Sequence, residues 1–133
     1  MPIHIVQLGS PRTPHEGLRL GTVRRPPRGV PKAEFASRDF YDTWVPVLSP
    51  SAELVAEAKA AEDEKDWETF RRKFKAEMNH PAPCQLLDLL AALSHQTSLA
   101  IGCYCKEERH CHRSVLRELL IARGAQVVAP QEV

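Results

Sequence analysis

Apolar residues recur along this chain in two rhythms, one of period two and one of period 3.6. Residues 3–8 predict a first strand in which Ile3, Ile5 and then Leu8 face a core, closed by Gly9-Ser10-Pro11. Residues 18–24 predict a second, with Leu18, Leu20 and Thr22 on one face and Arg19, Gly21 and Val23 on the other. Three prolines and a glycine in residues 25–32 forbid regular structure and predict a stiff basic loop. Residues 35–48, rich in aromatic side chains, predict a loop with at most one helical turn.

Helical spacing takes over in the middle of the chain. Ser49-Pro50 predicts a helix start, with Ser49 as cap, running to about residue 61 with Leu54, Val55 and Ala58 inward. Trp67, Phe70, Phe74 and Met78 mark a second helix over 66–79, and a leucine-rich third follows over 83–95. Residues 97–104 form a continuous apolar run suited to a buried strand. Val115, Leu116, Leu119 and Leu120 predict a fourth helix over 114–123, with Gly124 just beyond its end, and residues 126–129 predict a short last strand. Strand, helix, strand with brief links is a βαβ unit, so the last two strands should be parallel. The expected architecture is α/β: one compact domain over residues 1–133, a small, mostly parallel sheet flanked by about four helices, and a Rossmann-like βαβ unit at the C-terminal end.

Composition narrows the function classes. With 43% apolar and 26% charged residues, the chain reads as an ordinary globular domain. No apolar run approaches the roughly 20 residues of a membrane span. Met1-Pro2-Ile3-His4-Ile5 does not read as a secretory signal, so no membrane association and a cytoplasmic location are expected. The net charge of +1 excludes a strong generalised pull on nucleic acid, yet charge is uneven. Between Arg12 and Lys32, Arg12, Arg19, Arg24, Arg25, Arg28 and Lys32 stand against Glu16 alone, which suits an anionic ligand.

The densest chemistry lies in Cys103-Tyr104-Cys105-Lys106-Glu107-Glu108-Arg109-His110-Cys111-His112-Arg113, between the last buried strand and the last helix. A strand-to-helix junction is where α/β folds place ligands, and a helix start favours anions. There Arg113 and Arg109 would hold an anion while His110 and His112 favour the Cys111 thiolate. Alternatively Cys103, Cys105, Cys111 and a histidine, His112 or His110, make a tetrahedral sulfur–nitrogen set. The spacing C-x-C-x5-C-H is not a standard zinc signature. A third reading leaves Cys103 as core, as Cys84 at a helix start is expected to be. Arg19, Arg24 and Arg28 either converge on one pocket or form a solvated edge. His4, His15, His80 and His95 are isolated. Trp44 suits either the core or a stacking platform, and the core is expected.

Several of these residues carry a resemblance. Glu16-Gly17-Leu18-Arg19, Val23-Arg24 and Pro27-Arg28-Gly29-Val30 with Lys32 are similar to the D-G-x-R … D-R-x-W-P-R-G pattern of the YeaO-like branch of the DUF488 family. Trp44 with Ser49-Pro50-Ser51-Ala52-Glu53-Leu54 resembles that branch's W … P-S-x-E-L, and Cys111-His112-Arg113 resembles the C-H-R of other members. Val23 and Pro26 depart from the pattern, replacing its acidic residue and its tryptophan. The resemblance implies a compact α/β domain and a shared site, without implying a reaction. By position it points to Arg19, Arg24, Arg28, Cys105, Cys111, His112 and Arg113.

Two functions stay open at this point, with a protein-interaction module as a third. The first is a pocket for a phosphate-bearing ligand, nucleotide or nucleic acid, held by Arg19, Arg24, Arg28, Arg113 and Cys105, with Cys111 as thiolate nucleophile tuned by His112. The second is a non-catalytic zinc or iron protein using Cys103, Cys105, Cys111 and His112. Whether the chain is an enzyme is left undecided by the sequence. The first reading requires that the arginines near the front and the start of the last helix face one cleft.

Overall fold

The strand that organises the sheet comes last in sequence. In the computed structural model, which describes residues 2–129, four strands run parallel in the order β1 (Ile3–Gln7), β4 (Leu99–Cys103), β2 (Leu18–Gly21), β3 (Thr43–Trp44). β4 lies between β1 and β2, with Ile101 opposite both Ile5 and Leu20. All five β4 residues are buried, as a continuous apolar run demands of a central parallel strand.

Four helices fill the rest: α1 (Ala52–Ala60), α2 (Glu64–Met78), α3 (Pro81–Leu93) and α4 (His112–Ala122). One cluster joins the Ile3, Leu99 and Ile101 face of the sheet to Leu54, Phe70, Phe74, Leu87, Leu90, Val115, Leu116 and Leu120 from the four helices. The opposite face carries Val6, Gly21 and Gly102 and is covered by side chains from loops instead. Leu8 and Tyr41 pack so tightly there that a Cβ on Gly102 or Gly21 would sit 2.5 or 2.4 Å from them. Leu8, Val23, Tyr41, Cys103 and Cys111 form a second, smaller cluster.

Local chemistry moved several boundaries. α1 starts at Ala52, capped by Ser51, whose Oγ accepts the Leu54 N–H at 3.3 Å. Ser49, the expected cap, instead donates its hydroxyl to the Pro46 carbonyl at 2.7 Å, closing a 3-10 turn at Pro46–Leu48. α2 starts two residues early because Asp63 accepts the Asp66 N–H at 2.8 Å. α3 takes Pro81 and Pro83 into its first turn, where a missing N–H costs nothing.

Residues 35–48, expected as loop, contain the two-residue β3, too short to show alternation. Residues 126–129 make only a parallel bridge, Val127 to Ile3, so the chain returns beside β1 rather than beside β4. Leu18 opens β2 with 55% of its surface exposed, whereas Thr22, expected on the same face, is fully buried. Trp44, expected in the core, is 43% exposed, with its indole N–H donated to the Val23 carbonyl at 2.7 Å.

Gly17 shows why β2 begins where it does. Its φ of +86° lies in the left-handed region, and a Cβ there would come 2.0 Å from the Ser98 carbonyl oxygen. No other residue lets the chain pass this close to the entry of β4. No helix among the described residues is long and apolar enough to cross a membrane.

Candidate metal centre

Parallel strands end on one side of the sheet, so the segments after β1, β2 and β4 meet at a common carboxyl edge. Cys103 ends β4 there, 7% exposed. The chain then turns through residues 104–110 and returns with Cys111 as the residue preceding α4 and His112 as its first member. α4 starts two residues earlier than its apolar spacing predicts. Glu108 fixes this return, because Arg117 on α4 grips its carboxylate with two bonds of 2.6 and 2.9 Å.

Cys103, Cys111 and His112 are all buried, and their ligand atoms lie within 4.8 Å of one another, so the cluster could hold a metal ion. Cys105 lies outside that mutual set but has its sulfur 3.7 Å from that of Cys103, on the solvent side. The Cys111 sulfur is 3.7 Å from Nδ1 of His112.

Hydrogen bonding sets which nitrogen of the histidine faces the sulfurs. Nε2 of His112 lies 2.6 Å from the carbonyl oxygen of Thr22. A carbonyl only accepts, so Nε2 carries a proton, and Nδ1 is the nitrogen that faces Cys111. Phe74 stands edge-on to the ring, centroids 5.7 Å apart, and holds its orientation. The backbone carbonyl of Thr22 was the component least readable in sequence, because no side-chain type advertises it.

Charge follows the same layout. Cys103 and then Cys105 direct thiol hydrogen bonds at Cys111 and hold it far below the ordinary thiol range. His112 adds to this, and burial opposes it without prevailing. Cys103 is pushed up by its bonds to Cys105 and Cys111, and by burial. Arg113, 2% exposed, donates Nε to the Cys111 sulfur at 3.4 Å and its terminal nitrogens to the carbonyls of Val6 (2.6 Å) and Cys105 (2.7 Å). In the same small cluster the Tyr41 hydroxyl is buried without a hydrogen-bond partner. An orphaned buried polar group of this kind costs about 1–3 kcal/mol.

Arg19 and Arg24, from the front third of the chain, engage separate partners. Arg19, 1% exposed, pairs with Glu16 and donates to the carbonyls of Ser10 (2.8 Å), Asp39 (2.7 Å) and Pro11 (3.2 Å). Its guanidinium is therefore taken up inside the fold. Glu16, its counter-ion, is a component the sequence reading did not assign. Arg24 donates to the Pro50 carbonyl at 2.9 and 3.1 Å and lines a shallow depression of about 450 Å³ with Ser49, Ser51, Glu77 and His80. Arg28 is exposed, with no side-chain hydrogen bond or ion pair among the described residues. His110 bonds Glu64 at 3.1 Å, away from the sulfur cluster. Cys84 lies 3.5 Å from an Arg123 nitrogen. Of the residues singled out by sequence, the fold brings together Cys103, Cys105, Cys111, His112 and Arg113.

The profile of the DUF488-N3a family, described as the active DUF488-N3 subclade, matches residues 3–124. No curated protein and no solved structure matches the chain.

Proposed function

The chain belongs to the DUF488 family, and from its buried cysteine–histidine cluster we propose that it is a metal-binding protein, with zinc as the ion and iron as the competitor. Cys103, Cys111 and His112 supply three ligands and Cys105 the fourth. The observation that carries this is the spacing of the donor atoms. Tetrahedral zinc, with Zn–S near 2.3 Å and Zn–N near 2.0–2.1 Å, sets neighbouring ligand atoms about 3.5–3.8 Å apart. The Cys103–Cys105 and Cys111–His112 separations are both 3.7 Å.

The surroundings fit as well. A metal-bound imidazole hands its other N–H to a carbonyl, as Nε2 of His112 does to Thr22. Three thiolates and a neutral histidine around a divalent cation leave one negative charge, which Arg113 balances at the Cys111 sulfur. A cytoplasmic, reducing setting would keep the thiols available.

A reactive Cys111 remains the second reading, favoured by its strongly lowered pKa and its place at the start of α4. Burial counts against it, since Cys111 is 3% exposed, Arg113 is 2% exposed, and all five N–H groups of Arg19 are already donated inside the fold. The word "active" in the description of the matching subclade agrees with either reading, because Cys105 is exposed and a ligand that gives way would open the fourth position.

Elemental analysis of protein purified without chelator tests the proposal. About one zinc per chain is expected, and less than about 0.2 equivalents in Cys103→Ser or His112→Ala protein. Cys105→Ser should keep the ion with about 10–100-fold weaker affinity, as a solvent-side ligand replaceable by water. Metal-free wild-type protein that gains no ion on incubation with zinc would sink the reading.

A further inference from the structure

Most cations of this chain already have partners, and those that do not are unevenly placed. Eight of the lysines and arginines make no side-chain hydrogen bond or ion pair among the described residues: Arg25, Arg28, Lys32, Lys59, Lys65, Arg72, Lys106 and Arg109. Five of them, Arg25, Arg28, Lys32, Lys106 and Arg109, sit on the two loops that leave the carboxyl ends of β2 and β4, which are neighbours in the sheet. All five are exposed. The two loops are tied together where the Tyr104 hydroxyl donates to the Arg25 carbonyl at 2.8 Å. Glu34 and Glu107 are the exposed acids on the same segments, and Glu34 already faces Arg38 at 4.0 Å.

An aromatic surface stands beside these charges. Trp44 is the half-exposed indole of edge strand β3, held by its bond to the Val23 carbonyl at the root of the first loop. A base has a π-face to stack on an indole and a phosphate on either side to meet guanidinium and ammonium groups. Three prolines in residues 25–32 reduce the entropy that loop would lose on binding. A duplex hides its bases from the indole, and an anionic vesicle offers no ring to stack.

We infer that the carboxyl edge of the sheet, through Arg25, Arg28, Lys32, Lys106, Arg109 and Trp44, binds single-stranded nucleic acid. This inference does not rest on the metal reading, since none of these residues is one of the proposed ligands.

The test is fluorescence anisotropy of the full chain with a labelled oligo(dT) and a labelled RNA of about 15 nucleotides. Five phosphate contacts on a single strand predict a slope of log affinity against log salt of about −3.5, or about a 100-fold loss between 50 and 200 mM salt. The charge-reversed variant R25E/R28E/K32E should bind at least 10-fold more weakly, with the slope reduced by about 2. A matched variant, K59E/K65E/R72E, changes the net charge equally on α1 and α2 and should stay within about twofold of wild type. Trp44→Ala should lose about five- to tenfold while Trp44→Phe, which keeps a ring, keeps most of the affinity. Zinc content should be unchanged in all of these variants, so failure here leaves the metal proposal standing. The inference is overturned by absence of binding at low salt, by equal weakening in the α1/α2 variant, by tighter binding to the corresponding duplex, or by binding to anionic vesicles alone.

Discussion

Arg19→Met is expected to destabilise the protein by about 3–5 kcal/mol, the cost of leaving a buried charge without its partner. Glu16 is 2% exposed and would lose its counter-ion, while the carbonyls of Ser10, Pro11 and Asp39 would lose their donor. Folded domains hold only about 5–15 kcal/mol in reserve, so this one change takes a large share of it. The loss has a sign in pH. Burial pushes the Glu16 carboxyl up, but the Arg19 guanidinium and the Thr13 N–H outweigh it and leave the group below its ordinary value of 4.5. Burial likewise raises Asp42, and Arg12 and the Arg19 backbone N–H bring it below 3.8.

Groups depressed in this way stabilise the fold above their unfolded values, and that stabilisation disappears as pH falls through their folded values. Wild-type protein should therefore weaken below about pH 4.5. In Arg19→Met the burial of Glu16 is no longer opposed by a cation, so its protonation becomes favourable and the deficit against wild type should shrink between pH 7 and pH 4.5. Urea unfolding at the two values checks both statements. A constant deficit would show that Arg19 acts through its carbonyl contacts and not through Glu16.

Removing a bound metal should have the next largest effect. An ion whose free concentration is about 1,000 times its dissociation constant adds about 4 kcal/mol to the folded state. For a chain of this size that corresponds to about 10–15 °C in melting temperature. Thermal unfolding of zinc-loaded protein with and without a strong chelator measures it, and added zinc should restore the lost stability. His112→Ala, lacking the one nitrogen ligand, should melt at the lower temperature whether or not chelator is present. If the chelator moves the two proteins equally, the shift has nothing to do with the cluster.

The sequence made the parallel sheet, the four helices and the cysteine–histidine turn legible, because each rests on residue spacing. Ile3 with Ile5, Phe70 with Phe74, and Val115, Leu116 with Leu120 announce their faces by period, and all of them are buried except Ile5, which is half-buried against the same core. What spacing does not announce is competition for a single atom. Ser49 and Ser51 are equally good caps on paper, and the choice depended on which hydroxyl the Pro46 carbonyl had already claimed. Arg19 reads as a ligand-binding cation from its motif. Only the fold brings Glu16 and three carbonyls around it. The YeaO-like pattern singled out Arg19, Arg24 and Arg28, whereas the unpaired charge at the carboxyl edge of the sheet lies on Arg25, Arg28, Lys32, Lys106 and Arg109, because side-chain partners depend on contacts distant in sequence.

The position of β4 has a consequence for how the molecule assembles. β1 and β2 do not pair with each other; β4 joins β1 to the β2–β3 pair, and its residues lie about a hundred positions after Ile3 in the chain. At about 5–20 residues per second, a ribosome delivers β1 some 5–20 seconds before its neighbour exists. During that interval α1, α2 and α3 can form and pack through Phe70, Phe74, Leu87 and Leu90, while two strands wait with open edges. Completion of the sheet is then one late event, triggered by the emergence of a single five-residue segment, and Cys111 follows eight residues behind it.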